Sequence, residues 1–290
     1  MLNIELKYNT DSLRSLSQLF TPTSFSKIVR KNNYSIIDSR LKKHIVNVKG
    51  FSRNELIKII FKILEKQYKN EYIYKNALIN KLLLGKYSLN TTTVINELKI
   101  KNSVADFVLL NGEIRIFEIK TELDNLQKLE KQIQDYKTFA NKIFIVTNSK
   151  YINTLIKLYN DKNIGIIEYT DKKTLKEIKP AIEDNSNLNH EVLFKSLRKK
   201  EYLELVNDYF GYVPNIPNTL IFKECLKMIK TIDVNIFQKL VLKQLKKRKI
   251  KYPDLLKSKK TPYELKYLCY TLDFDYNEYL RLYEFLNKKI

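Results

Sequence analysis

The run ADFVLLNGEIRIFEIK, residues 105–120, decides how this 290-residue chain is read. It holds the core of two β-rich stretches, residues 104–110 and 113–121, joined by Asn111-Gly112. Asn-Gly between alternating apolar runs is a strong hairpin signal and suits a type I′ turn. Alternation along the second stretch puts Glu118 and Lys120 on one face. Asp106 lies in the first stretch. Carboxylates inside apolar strands are costly unless they are paired or hold a cation.

Outward from this hairpin, residues 94–100 have strand character. The pattern then changes to a helix over 125–140, with Leu126, Leu129, Ile133 and Tyr136 on one face. A buried strand at 143–146, a helix at 151–159 and a strand at 164–169 follow. Upstream, Ser52 and Glu55 have capping-box spacing before the stripe Leu56, Ile59, Ile60, Ile63 and Leu64. A further helix is expected around 74–84. The order α, β, β, β, α, β, α, β predicts a mixed α/β sheet covered by helices.

Residues 1–49 read as a polar, basic helical extension, with Thr10 or Asp11 capping a helix that contains Leu13 and Leu16. A second short helix begins at Phe25, and residues 35–48 are ambiguous. No strand is expected after residue 172. Helices are expected at 189–209, 219–248 and 263–289, with Pro217, Pro253 and Pro262 as breaks. The expected segments are an extension at 1–49, an α/β core at 50–180 and an all-α C-terminal region at 181–290, with residues 183–187 as linker.

Two carboxylates converging on one point suit a hard cation such as Mg²⁺ or Mn²⁺, which takes oxygen ligands and keeps several waters. A neighbouring lysine suits the charge that develops on a phosphoryl group. Asp106, Glu118 and Lys120 are therefore the parts needed for phosphodiester hydrolysis. In this pattern the sequence resembles the PD-(D/E)XK nuclease superfamily, whose restriction-endonuclease-like core is an αβββαβ unit. Ala105-Asp106 departs from the Pro-Asp position, whereas Glu118-Ile119-Lys120 matches in full. The resemblance covers about residues 50–170 and implies that the Ile119 carbonyl joins the metal shell. Residues 50–55, GFSRNE, look like the first-helix element of Holliday-junction resolvases. Glu55 is thus either a metal ligand or the closing half of the capping box. Gln132 and Tyr136 form a QxxxY pattern similar to that of RecB-like nucleases, where it flanks the active site. The run from Glu118 to Tyr136 also looks like an uncharacterised bacterial family within the superfamily. Members of the superfamily often dimerise, so a homodimer or a regulatory protein partner is possible.

The formal net charge of +21, from 53 Lys and Arg against 32 Asp and Glu, is the footprint of a phosphate binder, although an AT-rich coding bias also yields lysine. The densest basic run spans residues 239–260 and includes Lys246, Lys247, Arg248, Lys249 and Lys251. It reads as a nucleic-acid backbone grip or as a solvated helix face. Interleaved tyrosines offer stacking surfaces or helical core. Glu97 reads as structural, and Glu122 and Asp124 as caps for the next helix. His44 and His190 lack ligand-spaced partners, and Cys225 and Cys269 read as core. No Gly-rich phosphate loop, no signal pattern at residues 1–7 and no run of about 18 apolar residues is present. These features exclude a kinase-type site and a membrane helix, and point to a cytoplasmic protein. The expected function is a Mg²⁺-dependent nuclease acting on nucleic acid, DNA before RNA, in defence, mobile-element or repair roles. The alternatives are a non-catalytic binding or interaction module on the same fold, and a toxin-like nuclease gated by a partner.

Overall fold

The computed structural model describes residues 8–45 and 48–290. Residues 1–7, where the absence of a signal pattern was read, and Val46 and Asn47 of the ambiguous stretch lie outside the described residues. The helices are α1 (Thr10–Ser17), α2 (Pro22–Lys31), α3 (Ser35–His44), α4 (Arg53–Gln67) and α5 (Glu71–Leu78). Strands β1 (Thr93–Ile100), β2 (Ser103–Asn111) and β3 (Glu113–Lys120) follow. Next come α6 (Leu129–Lys137), β4 (Lys142–Thr147), α7 (Ser149–Tyr159), β5 (Gly165–Tyr169) and β6 (Leu175–Lys179). The chain continues with α8 (His190–Lys195), α9 (Lys199–Phe210), α10 (Asn218–Ile229), α11 (Val234–Leu245), α12 (Pro253–Lys257), α13 (Lys266–Leu272) and α14 (Tyr276–Asn287).

The chain divides into two compact units, Met1–Lys86 with Ile250–Ile290, and Tyr87–Lys249. These limits differ from the segment boundaries expected near residues 50 and 180. The reason is visible in the packing of each unit.

In the first unit the C-terminal helices pack with the N-terminal ones. Arg53 binds Asp38 through Nε and Nη2 and reaches the Lys288 carbonyl. Arg30 pairs with Glu278, and Asn76 donates to the Tyr263 carbonyl. The expected capping box closes α4, with the Ser52 hydroxyl accepting from the Glu55 amide. Asn9, rather than Thr10 or Asp11, caps α1 by accepting from the Ser12 amide. The helix expected through residue 84 loosens after Leu78 into a π-turn over Ile79–Leu83.

In the second unit six strands form one mixed sheet in the order β1-β2-β3-β4-β5-β6. The pairs β1–β2, β2–β3 and β5–β6 are antiparallel, and β3–β4 and β4–β5 are parallel. One face buries Val108, Leu110, Ile116, Ile145 and Ile166 with Ile133 and Tyr136 of α6 and Leu155 of α7. The same cluster continues into Phe194, Val206, Cys225, Phe237 and Val241. Helices α8–α11 are thus part of the sheet's own core, so no independent domain starts at 181. Each large side chain so buried contributes roughly 1.5–3 kcal/mol.

Strand β6 corrects the expectation that no strand follows residue 172. Its sequence, LKEIK, has no clean alternation, and its residues are half-buried or exposed. It forms because the turn from Thr170 to Thr174 folds it back along β5. It is the short, lysine-bearing edge strand that a sheet tolerates at its margin. The Asn111-Gly112 hairpin is also tighter than expected. Asn111 pairs with Glu113, and Gly112 alone takes a positive φ, 72°, where a type I′ turn needs two such residues. No described helix is long and apolar enough to cross a membrane.

Candidate active site

The site lies in the second unit, where β2, β3 and α6 meet. Normal alternation along β1 and β2 fails at one point. Ala105 and Val108 belong to the same buried cluster although they are three residues apart, and their partners Leu98 and Ile95 behave likewise. The phase of both strands therefore inverts between these pairs. Glu97 takes a left-handed φ of 55° at the inversion, opposite the Asp106 region. Irregularities of this kind re-aim side chains beside functional sites. Here the result is that the Asp106 carboxylate leaves the plain face pattern and accepts the Ile119 amide at 2.8 Å.

Glu118 and Lys120 share the face covered by α6, as alternation requires. Glu118 is 1% exposed. Its Oε1 accepts from Lys120 Nζ at 2.8 Å and its Oε2 from the Tyr136 hydroxyl at 2.7 Å. Lys120 Nζ also donates to Gln132 Oε1 at 2.9 Å. Gln132 and Tyr136 sit one helical turn apart on α6, so both reach the same pair. The Tyr136 hydroxyl is also 2.8 Å from the Val104 carbonyl, so one proton serves two acceptors. Burial, then the Glu118 charge and the hydrogen bond to it, push the Tyr136 phenol far above its ordinary pKa. It stays a neutral donor. Breaking the buried Glu118–Lys120 pair by removing one partner would cost about 3–5 kcal/mol.

Two supporting residues, Thr147 and Asp135, were not legible in the sequence, and a third, Asp124, has another role than the helix cap expected of it. The Thr147 hydroxyl on β4 donates to the Lys120 carbonyl at 2.7 Å, which anchors the end of β3. Asp135 on α6 accepts the Ser103 hydroxyl at 2.8 Å and ties the helix to the start of β2. Asp124 accepts from both the amide and the hydroxyl of Thr121, closing the turn after Lys120 rather than capping α6. Thr147 and Asp135 pair with residues distant in sequence, so no sequence signal marks them, and the Asp124 turn uses a short polar motif that also reads as a helix cap.

The structure brings together Asp106, Glu118, Ile119, Lys120, Gln132 and Tyr136. Glu55 lies in the other unit, where one carboxylate oxygen accepts the Ser52 amide at 2.8 Å and its hydroxyl at 2.7 Å. Its carboxyl is held below the ordinary range by those bonds. Glu97 is exposed. His44 contacts Ser15, and His190 contacts the Ile232 carbonyl and stacks on Phe237. Cys225 and Cys269 are buried.

Three consecutive side chains of the basic run are engaged within its own unit. Lys247 pairs with Glu204 and Arg248 with Glu201, while Lys249 donates to the Asn90 carbonyl. The Lys246 carbonyl accepts from Thr93. Lys251 falls in the other unit beside Asp273.

Among the described residues no group of three or more His, Cys, Asp or Glu side chains gathers to hold a metal. The acidic donor set is therefore Asp106 and Glu118. One or two carboxylates with several waters is the ordinary environment of Mg²⁺, so the chemistry of this donor pair suits that ion, while both Glu118 oxygens already accept from Lys120 and Tyr136.

A family model described as bacteriophage P4 protein cII matches residues 64–268. Protein cII of Enterobacteria phage P4 is 28% identical over 183 residues. The match covers 61% of this chain and 64% of that relative's length. A solved protein of unknown function from Silicibacter pomeroyi gives a TM-score of 0.27 at 17% identity, covering 33% of this chain and 63% of its own. A likeness at that level carries no argument about the fold.

Proposed function

We propose that this chain, which belongs to the bacteriophage P4 protein cII family, is a metal-dependent nuclease that hydrolyses phosphodiester bonds in nucleic acid, DNA before RNA. The observation that supports this reading is the connected network Asp106–Ile119 and Tyr136–Glu118–Lys120–Gln132, assembled from three elements. The sheet order with its hairpin and helical crossover is also compatible with a restriction-endonuclease-like core. Asp106, Glu118 and the Ile119 carbonyl would hold Mg²⁺ or Mn²⁺. The ion, when bound, polarises a phosphoryl oxygen and acidifies a water. Lys120 places its ammonium beside Glu118, where it orients a water and offsets charge on the phosphate. Gln132 holds the Lys120 ammonium, and Tyr136 holds the far oxygen of Glu118. The phage relative fits a mobile-element setting, and a partner or second copy would act through surfaces outside this network.

A second reading is a nucleic-acid-binding module on the same fold. It is favoured by one observation: both Glu118 oxygens already accept hydrogen bonds from within the protein.

The test is cleavage of plasmid DNA, single-stranded DNA and RNA with Mg²⁺ or Mn²⁺, with EDTA as control. Asp106→Asn and Lys120→Met run beside the wild type, and a melting curve checks that each folds. The expected result is metal-dependent cleavage that falls at least about a hundredfold in both variants. Folded wild type that takes up no Mn²⁺ and cuts none of the substrates would replace the nuclease by the binding module.

A further inference from the structure

Lys247, Arg248 and Lys249 already engage partners within their own unit, so a second basic surface is a candidate for the substrate's phosphates. A cleft of about 630 Å³, within the size range of ligand sites, is lined by Lys99, Lys101, Asn102, Asn189, Glu191 and Lys195. Lys99, Lys101 and Asn102 are exposed. Among the described residues neither Lys99 nor Lys101 makes an ion pair. The acidic lining residue, Glu191, is bound to Lys195 at 2.5 Å, which leaves the lining net positive.

The cleft is connected to the site through the β1–β2 ladder. Lys99 pairs with Val104 in the β1–β2 ladder. The Val104 carbonyl accepts from Tyr136, whose hydroxyl is 2.7 Å from Glu118. Lys99 is thus linked to the buried carboxylate through one ladder rung and the Tyr136 side chain, although it alternates with Leu98 and Ile100, which face α6. Lys101 also holds the first position of the two-residue loop between paired Ile100 and Ser103, with a left-handed φ of 52°. That position favours glycine or asparagine, so lysine there is not explained by turn chemistry.

We propose that this cleft holds the sugar-phosphate backbone of the nucleic-acid substrate beside the site, with Lys99 and Lys101 each neutralising a phosphate. Asn102 and Asn189 would donate to its uncharged oxygens, and Lys195 would supply a weaker contact because it is shared with Glu191. This rests on the reading of Asp106, Glu118 and Lys120 as a nuclease site.

The experiment measures binding and cleavage separately on the full chain. Fluorescence anisotropy with labelled single-stranded and duplex DNA, in EDTA over a range of KCl, gives affinity and salt slope. The double variant Lys99→Ala/Lys101→Ala should bind at least about tenfold more weakly, with a slope reduced by roughly 1.4–1.8. The double variant Lys246→Ala/Lys247→Ala should keep most of both. Melting curves confirm that both variants fold. Wild-type affinity and slope in the first variant, the larger loss in the second, or no binding by the wild type would each overturn the proposal. The two readings fail separately. A slope lost in Lys99→Ala/Lys101→Ala with no cleavage by wild type keeps the cleft and removes the nuclease. Cleavage with an unchanged KM in that variant keeps the nuclease and removes the cleft.

Discussion

At the scale of single residues, the site depends on where charges are forced to lie. Glu118 is nearly sealed from water, and it is tolerable because Lys120 and Tyr136 supply its hydrogen bonds. Asp106 reaches the Ile119 amide because its own strand and β1 change phase around it. Glu97 carries the conformational cost of that change with its φ of 55°. A left-handed residue without glycine's freedom is strained, and a β-branched one more so. Glu97→Gly is therefore expected to keep folding stability within about 1 kcal/mol, and Glu97→Val to lose about 1–3 kcal/mol. Urea midpoints of the two variants check this. Equal midpoints would remove the strain assigned to this position. Asp106, Glu118 and Lys120 were legible because charges stand out in apolar strands. Glu97 was not, because the residue type does not announce a positive φ.

At the scale of elements, periodicity located most helices and the strands β1–β5. It missed β6, whose pairing comes from a turn and an edge position rather than from its own pattern. It also read the 239–260 run as one basic surface. In the structure α11 ends among acidic partners from α9. Arg248 donates through Nε and Nη2 to the two oxygens of Glu201, at 2.7 and 2.5 Å. Burial raises the Glu201 pKa, but the Arg248 hydrogen bonds and charge prevail and hold it below the ordinary carboxylate range. A carboxyl depressed on folding stabilises above its unfolded pKa, near 4.3, and the contribution disappears as pH falls through the folded value. Arg248→Ala should accordingly cost about 1–2 kcal/mol at neutral pH, and the difference from wild type should shrink below about pH 4. Thermal melts of both proteins at the two pH values measure it. A gap that stays constant would mean that Arg248 acts through packing alone.

At the scale of the whole molecule, the chain does not fold in the order in which composition divides it. Helices α8–α11 share the cluster on the sheet, while α12–α14 pack with α1–α5. The second unit is one continuous stretch, Tyr87–Lys249, with its own sheet and core and the whole Asp106–Tyr136 network. The polypeptide 87–249, made alone, should unfold in a single cooperative transition. On the nuclease reading it should also keep Mn²⁺ uptake that Asp106→Asn removes. A fragment without a cooperative melt would show that this unit depends on the rest of the chain.

The sequence by itself determined the mixed α/β class, the hairpin between residues 104 and 120, the capping box at Ser52 and the face shared by Glu118 and Lys120. These follow from side-chain periodicity and short-range hydrogen bonding, which involve near neighbours. The QxxxY pattern already marked Gln132 and Tyr136 as neighbours of the site, but tertiary structure alone decided which atoms they bind and that Thr147 anchors the end of β3. It also decided that Arg248 is spent on Glu201, and that the last helices join the first. Such pairings lie tens to hundreds of residues apart, where burial and available partners choose among many possible contacts.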